Sequence, residues 1–548
     1  MRAVPRLASG RALTDDYENV LHVDEASAPS ECCHVPSHML DSTAHPSTRA
    51  AISPLPSYAA RIRMRGTPMA RPRTPLLDAL RAGRALQRQP MQIPGHKNRY
   101  TDLAAGPTPI GFDLLHDVIR DDLPLQGGAD DNHFTNGYDE DAEALYAAAI
   151  GAAHTRFLVN GSSQGNIAAL LAAASDGRRI AVDRTSHRSA LAGLQLSGGV
   201  PTWVFPELHP EYGLPIGVSP AALDDLTSDI TAIFVTSPAY VGTMSDVAAL
   251  SARAHAMGVP LVVDQAWGAH LDWMHGEHRG AIANGADLVV TSIHKALMGY
   301  SQTAIVSTSG RFIDPKRLDR AVDLTMTTSP SATLLASIDA TRAIMEQDGE
   351  AAIARALEAT EAAKRVLRAV RGVVVIDDAI GSLVDPLKIT LWLPRTGVTG
   401  IELGQALWRD GHGVESADTD SIVMSVSIVD EPDFIARMAH KVAALIEGSR
   451  REAREPMPTA LWQIRPDVVV TPREALFARR RRIPMDEAIG EVSAEQFVPY
   501  PPGVPLLAPG ERVTRDLVDA IRLAGRLGRV SYCSDRTFET IEVIDTLG

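Results

Sequence analysis

Cysteine is almost missing from this 548-residue chain: there are three, two of them adjacent at Cys32 and Cys33, and no C-x-x-C pair occurs. A disulfide framework and a thiolate metal site of the usual spacing are therefore excluded, and a reducing cytoplasm is the expected compartment. No run of about 18 apolar residues occurs, so no membrane span is expected. The chain is not basic either: 53 Lys+Arg stand against 67 Asp+Glu, a net charge of -14. Such a surface repels phosphate backbones and argues against a nucleic-acid partner. Neither a Walker A sequence nor a G-x-G-x-x-G is present, so the common nucleotide-binding motifs are not matched.

What is present is average for a globular protein, with 45% hydrophobic and 22% charged residues. Residues 1–68 stand apart. They hold seven Arg and seven Asp/Glu and are rich in Ser, Ala and Pro, without lasting apolar periodicity. They are expected to form a disordered tail with no secretory signal, and Cys32-Cys33-His34 is read as a chance cluster in it. The whole excess of -14 then falls in residues 69–548.

From about residue 75 the pattern is globular. Short β-rich runs at 157–159, 179–183, 201–205, 230–236, 260–264, 287–291 and 303–307 alternate with helical stretches such as 165–174, 187–196 and 245–257. Apolar strands separated by helices imply crossover connections and a mostly parallel sheet, an α/β domain over 69–348. A long Ala/Glu/Arg helix is expected over 350–371. Small α+β domains follow, one over 349–450 and a Pro-rich one over 451–548. The run Arg479–Arg482 is read as a solvated turn or a contact to an acidic neighbour.

Open parallel sheets bind ligands at the carboxyl ends of their strands, and three polar groups sit there. Asn160-Gly-Ser-Ser-Gln-Gly-Asn166 opens a helix after an apolar strand. Free N–H groups, hydroxyls and the helix dipole suit a phosphate at that point. Asp264 ends the strand Pro260-Leu-Val-Val-Asp264. A carboxylate buried there needs a positive partner, for instance a protonated heterocyclic nitrogen. Lys295, in Ser292-Ile-His-Lys295, follows another apolar strand. Poor solvation lowers its pKa and favours the nucleophilic amine. A phosphate cradle, a pyridinium-pairing Asp and a Schiff-base Lys are together the parts of a pyridoxal 5'-phosphate site.

These residues resemble those of the Orn/Lys/Arg decarboxylase family, bacterial basic amino acid decarboxylases with the aspartate-aminotransferase-like fold. The resemblance includes Ile93-Pro-Gly-His-Lys97, Asp130-Asp-Asn-His133, Asp183-Arg-Thr-Ser-His-Arg-Ser189 and Asp264-Gln-Ala-Trp267. It continues in the tail through Pro472-Arg-Glu-Ala475, Ser493-Ala-Glu495, Pro499-Tyr-Pro-Pro-Gly-Val-Pro505 and Pro509-Gly-Glu511. It implies that Lys295 holds the cofactor, that Asp264 pairs with its ring nitrogen, and that His187 and Ala266 lie on the two ring faces. Ser162, Ser163, Gln164, Ser292 and His294 would hold the phosphate. It also implies at least a homodimer. Two departures stand out: Gln265 replaces the family's Glu or Ser, and the receiver-like N-terminal wing domain of the large members is lacking.

The expected reaction is decarboxylation of lysine, arginine or ornithine, with Lys295 or His294 as proton donor to Cα. Glu495 is the candidate for binding the distal amine, with Asp130 or Asp131 behind it. Another reaction of the same cofactor, such as amino transfer, and a non-catalytic regulatory homologue are the alternatives.

Overall fold

The computed structural model describes residues 72–86, 93–98, 112–123, 136–174, 177–457, 463–500, 504–526 and 530–546. The expectations placed on residues 1–68, on Asp130 and on Asp131 lie outside these.

The first strands are β1 (His154–Leu158), β2 (Arg179–Asp183), β3 (Val200–Val204), β4 (Ile230–Thr236), β5 (Thr243–Met244), β6 (Leu261–Asp264), β7 (Leu288–Ser292) and β8 (Ala304–Thr308). All but β5 join one sheet, in the order β1-β8-β7-β6-β4-β2-β3. Its strands run parallel except β8, which lies antiparallel to both β1 and β7. The mostly parallel α/β sheet is as the sequence leads one to expect. The strands read as continuous apolar runs because both faces are covered. Val262, Val290 and Phe234 pack under the helices Gly161–Ala173, Arg188–Ser197 and Pro315–Asp323. Leu261, Val263 and Val289 face the helix Val247–Ala256 on the other side. At Gly165 a Cβ would lie 2.5 Å from Val290 Cγ1, so only glycine lets the first helix sit this close to β7.

The long helix expected over 350–371 begins much earlier and spans Ala332–Arg368. Gly349, read from the sequence as its upstream limit, lies inside it. One glycine costs a helix only about 1 kcal/mol, and the Ala- and Leu-rich residues on both sides carry the helix through.

A second, antiparallel sheet has the order β12 (Ser416–Ala417), β13 (Ser421–Ser425), β11 (Lys388–Trp392), β9 (Val374–Ile376). The short β10 (Leu383–Val384) instead pairs with β5. Helices Gly400–Arg409 and Pro432–Gly448 bury this sheet through Leu403, Leu407, Ile435 and Val442 against Leu391 and Ile422. In the last segment β14 (Arg479–Pro484) pairs with β17 (Thr540–Thr546), and β15 (Val498–Tyr500) with β16 (Val530–Tyr532). The arginine run, expected as a solvated turn or as a contact to an acidic neighbour, forms strand β14. Arg480 and Arg482 bind Glu542 across the ladder, and Arg481 binds Glu491 and Asp545. This segment is pinned to the large sheet by a buried two-pronged ion pair, Arg184 Nη1 to Glu511 Oε1 at 2.5 Å and Nη2 to Oε2 at 3.0 Å. Such a pair fixes orientation as well as contact.

Candidate active site

Asp264 ends β6, in the middle of the large sheet, and is only 2% exposed. Its Oδ2 accepts a hydrogen bond from Asn166 Nδ2 at 2.7 Å, and its Oδ1 one from the backbone of Ala266 at 3.0 Å. Both donors are neutral, and among the described residues no cation forms an ion pair with it. A carboxylate buried in this way is poised for a positive partner. Asn166 also donates to Ser189 Oγ at 3.0 Å, which in turn lies 2.9 Å from His187 Nδ1. The backbone N–H of Ser189 donates to the same Nδ1. In the neutral ring the proton therefore sits on Nε2. Burial favours that neutral form, pushing the His187 pKa down against the pull of Asp264. His187 thus does two jobs: it caps the helix Arg188–Ser197 and extends a polar relay to Asp264.

Lys295 lies in the short helix Ile293–Ala296, directly after β7. Its Nζ stands 3.9 Å from the centroid of the Trp267 ring. Burial lowers its pKa, while Asp264 and Glu415 pull it upward. Ser292 Oγ is buried and without a hydrogen-bond partner. His294 lies beside it, with Nδ1 2.8 Å from the carbonyl of Thr303. No side chain caps the helix Gly161–Ala173, which leaves the N–H groups at Ser162 and Ser163 open. Gln164 is spent otherwise: its Oε1 accepts from the Asn160 N–H at 3.2 Å and its Nε2 reaches Thr325 Oγ1 at 3.4 Å. Its amide braces the turn. Ala266 is buried two residues beyond Asp264.

These residues fit pyridoxal phosphate. The lone Ser292 hydroxyl and the uncapped helix start suit its phosphate. The cation-free Asp264 suits a protonated ring nitrogen, and Lys295 suits its aldehyde.

Some features escape a reading of local motifs. Gln265, the departure noted in the sequence, turns away from this chemistry: its Nε2 donates to Asp272 Oδ1 at 2.9 Å and its Oε1 accepts from the Ala281 N–H at 2.6 Å. Burial pushes the Asp272 carboxyl up to about 7, with the Gln265 hydrogen bond pulling the other way. A Glu at 265 would set two carboxyls against each other, so the amide is the matched choice here. Asn166 is part of the phosphate-type turn in sequence, but its link to Asp264 spans 98 positions. Lys388 is the largest omission. It opens β11, is 3% exposed, and its Nζ stands 4.0 Å from the same Trp267 centroid as Lys295. A lysine at the edge of the apolar run Lys388-Ile-Thr-Leu-Trp392 was the available signal, the same one that marked Lys295.

Glu495 keeps different company. It accepts from the Ser534 N–H at 2.6 Å, from Ser534 Oγ at 2.8 Å and from the Glu542 N–H at 2.8 Å. All three donors belong to its own segment. Nearby, the Tyr532 ring lies 4.5 Å from the Arg188 guanidinium carbon, next in sequence to His187.

Two family profiles match the sequence: Orn/Lys/Arg decarboxylase, major domain, over residues 74–390, and Orn/Lys/Arg decarboxylase, C-terminal domain, over residues 456–528. An arginine decarboxylase of Halalkalibacterium halodurans is 29% identical over 487 residues, covering 86% of this chain and 97% of that protein. The lysine decarboxylase LdcA of Pseudomonas aeruginosa is 24% identical, covering 70% of this chain and 66% of that one. Among solved structures, the Francisella novicida lysine decarboxylase LdcF has the same fold, with a TM-score of 0.73 at 18% identity, covering 86% of this chain and 81% of that one.

Proposed function

Because the chain belongs to the Orn/Lys/Arg decarboxylase family, we propose that it uses pyridoxal 5'-phosphate, held by Lys295, to decarboxylate lysine, arginine or ornithine. The observation that carries this reading is the buried, cation-free Asp264 carboxylate, bonded to Asn166 and acting electrostatically on Lys295. Asp264, oriented by Asn166, keeps a proton on the ring nitrogen. When bound, the cofactor supplies an electron sink for the pair released as the Cα–carboxylate bond breaks. Ser292 Oγ and the N–H groups of Ser162 and Ser163 would take the phosphate, with His294 as a further candidate. His187 and Ala266 bound the ring and keep water off its faces. Lys295, less basic than a surface lysine, would hold the cofactor and is the candidate to return a proton to Cα, with His294 as the other candidate donor. We assign Glu495, whose oxygens already accept three hydrogen bonds, to the architecture of the C-terminal corner.

The protein is proposed to act as a homodimer in the cytoplasm. Exposed Met298 and Tyr300, just beyond Lys295, support a second subunit there. Among the described residues no helix is long and apolar enough to cross a membrane.

Carbon dioxide release from L-arginine, L-lysine and L-ornithine tests the reaction. Arginine comes first, since the arginine decarboxylase relative matches over nearly its whole length. Lys295→Ala should abolish the visible band of lysine-bound cofactor and cut release by about a thousandfold or more. A keto acid formed without carbon dioxide would overturn the reading.

A further inference from the structure

Trp267 has two lysine ammonium groups against its ring, Lys295 at 3.9 Å and Lys388 at 4.0 Å from the centroid. The first comes from the short helix that follows β7 and the second from strand β11 of the small sheet. Lys388 is built in rather than draped over the surface. Its stem passes Gly242, whose φ is +96° and where a Cβ would lie 2.8 Å from Lys388 Cβ. The Gly242 carbonyl and its neighbour Val241 are tied to the same strand region, accepting from the Asp385 N–H and from Thr390 Oγ1 at 2.7 Å each. The Lys388 ammonium has one hydrogen bond, to Ser425 Oγ at 2.5 Å. Among the described residues it has no ion pair. The carboxylate of Asp385, which acts on it electrostatically, spends its Oδ1 on His270 Nε2 at 2.8 Å and the Leu387 N–H at 3.0 Å. Glu415 also acts on it, from an exposed position. Burial, opposed by Asp385 and Glu415 and reinforced by Lys295, lowers its pKa to about 8. It therefore stays mainly protonated at neutral pH, with two N–H donors unspent among the described residues and within electrostatic range of Lys295.

A buried cation with spare donors selects for an anion. A basic amino acid offers one anionic group, its α-carboxylate, and the product of decarboxylation offers none. We propose that Lys388 binds the substrate α-carboxylate and so orients the amino acid with that end beside Lys295. This inference rests on the decarboxylase reading given above. It assigns Lys388 a second effect, since the amine product carries only positive charge and is repelled from the same spot. Lys388 thus favours substrate over product.

The test compares equilibrium binding of L-arginine and of its amine, agmatine, by calorimetry. It uses cofactor-loaded protein in a Lys295→Ala background, where turnover is suppressed. Adding Lys388→Met should weaken L-arginine by about tenfold or more, the loss of one charge-assisted contact. Agmatine should be unchanged or tighter. Lys388→Arg, which keeps the charge, should restore much of the preference for the amino acid. Equal weakening of both ligands, or no change in either, would overturn the proposal. If Lys388→Met fails to fold, the Lys388→Arg and Lys388→Gln pair decides by the same ratio. Wild-type protein that releases no carbon dioxide would overturn the decarboxylase reading instead, because this comparison is made without turnover.

Discussion

Asp264 and Glu495 are both carboxylates at the end of a short segment, and both were singled out from sequence, yet the protein treats them oppositely. Asp264 is sealed from water with two neutral donors and no cation. Glu495, half-buried, receives three donors from the chain that surrounds it. The first arrangement is incomplete by itself, whereas the second is finished. A folded chain leaves buried polar groups unmatched only at some cost, so Asp264, bonded to neutral donors alone, and the unpartnered Ser292 hydroxyl are the groups that fit the cofactor site we propose. Saturation at Glu495 fits the structural role proposed for it.

The contrast breaks if the two sites respond alike to loss of charge. Asp264→Asn should lower kcat by about a hundredfold to a thousandfold, because it removes a preorganised charge facing the reacting centre. Its thermal stability should hold or rise, since an uncompensated buried charge is gone. A large fall in melting temperature would place Asp264 with the structural carboxylates. A third buried acid sharpens the contrast through pH. Asp272 has its carboxyl raised to about 7. The folded state therefore keeps this proton where the unfolded chain loses it. Its contribution to stability is fully present below the unfolded value near 4 and is lost as pH rises through about 7. Asp272→Asn should flatten this slope, by no more than about 4 kcal/mol between about pH 4 and about pH 8, in urea midpoints taken across that range. The smallest effect is expected at Glu495. Glu495→Gln should cost about 1–2 kcal/mol of stability by disturbing the bonds to Ser534 and Glu542, with KM within about twofold. A tenfold rise in KM at unchanged stability would move Glu495 to the substrate.

The local parts of the site are legible in the sequence because each is a strand end followed at once by its polar residues. Asp264 after Leu261-Val-Val, and Ser292, His294 and Lys295 after Leu288-Val-Val-Thr, need only a sheet to bring them together. What escapes is whatever depends on partners distant along the chain. Lys388 reaches Trp267 from another sheet, and Asn166 finds Asp264 across 98 positions. Gln265 looks like a flaw in the motif until its bond to Asp272 is seen. The early start of the Ala332–Arg368 helix is hidden for a different reason. Its N-cap, Ser331, follows a proline but spends its hydroxyl on Asp122 and not on the helix.

That helix has a mechanical consequence. At 37 residues it is about 55 Å long. Leu335, Ile338 and Met345 in its first half belong to one core, and Ala356, Ala363 and Leu367 in its second half belong to the core of the small sheet. A single rod is thus cast into two blocks. Fraying that starts in either block strips a face from the shaft on which the other also packs.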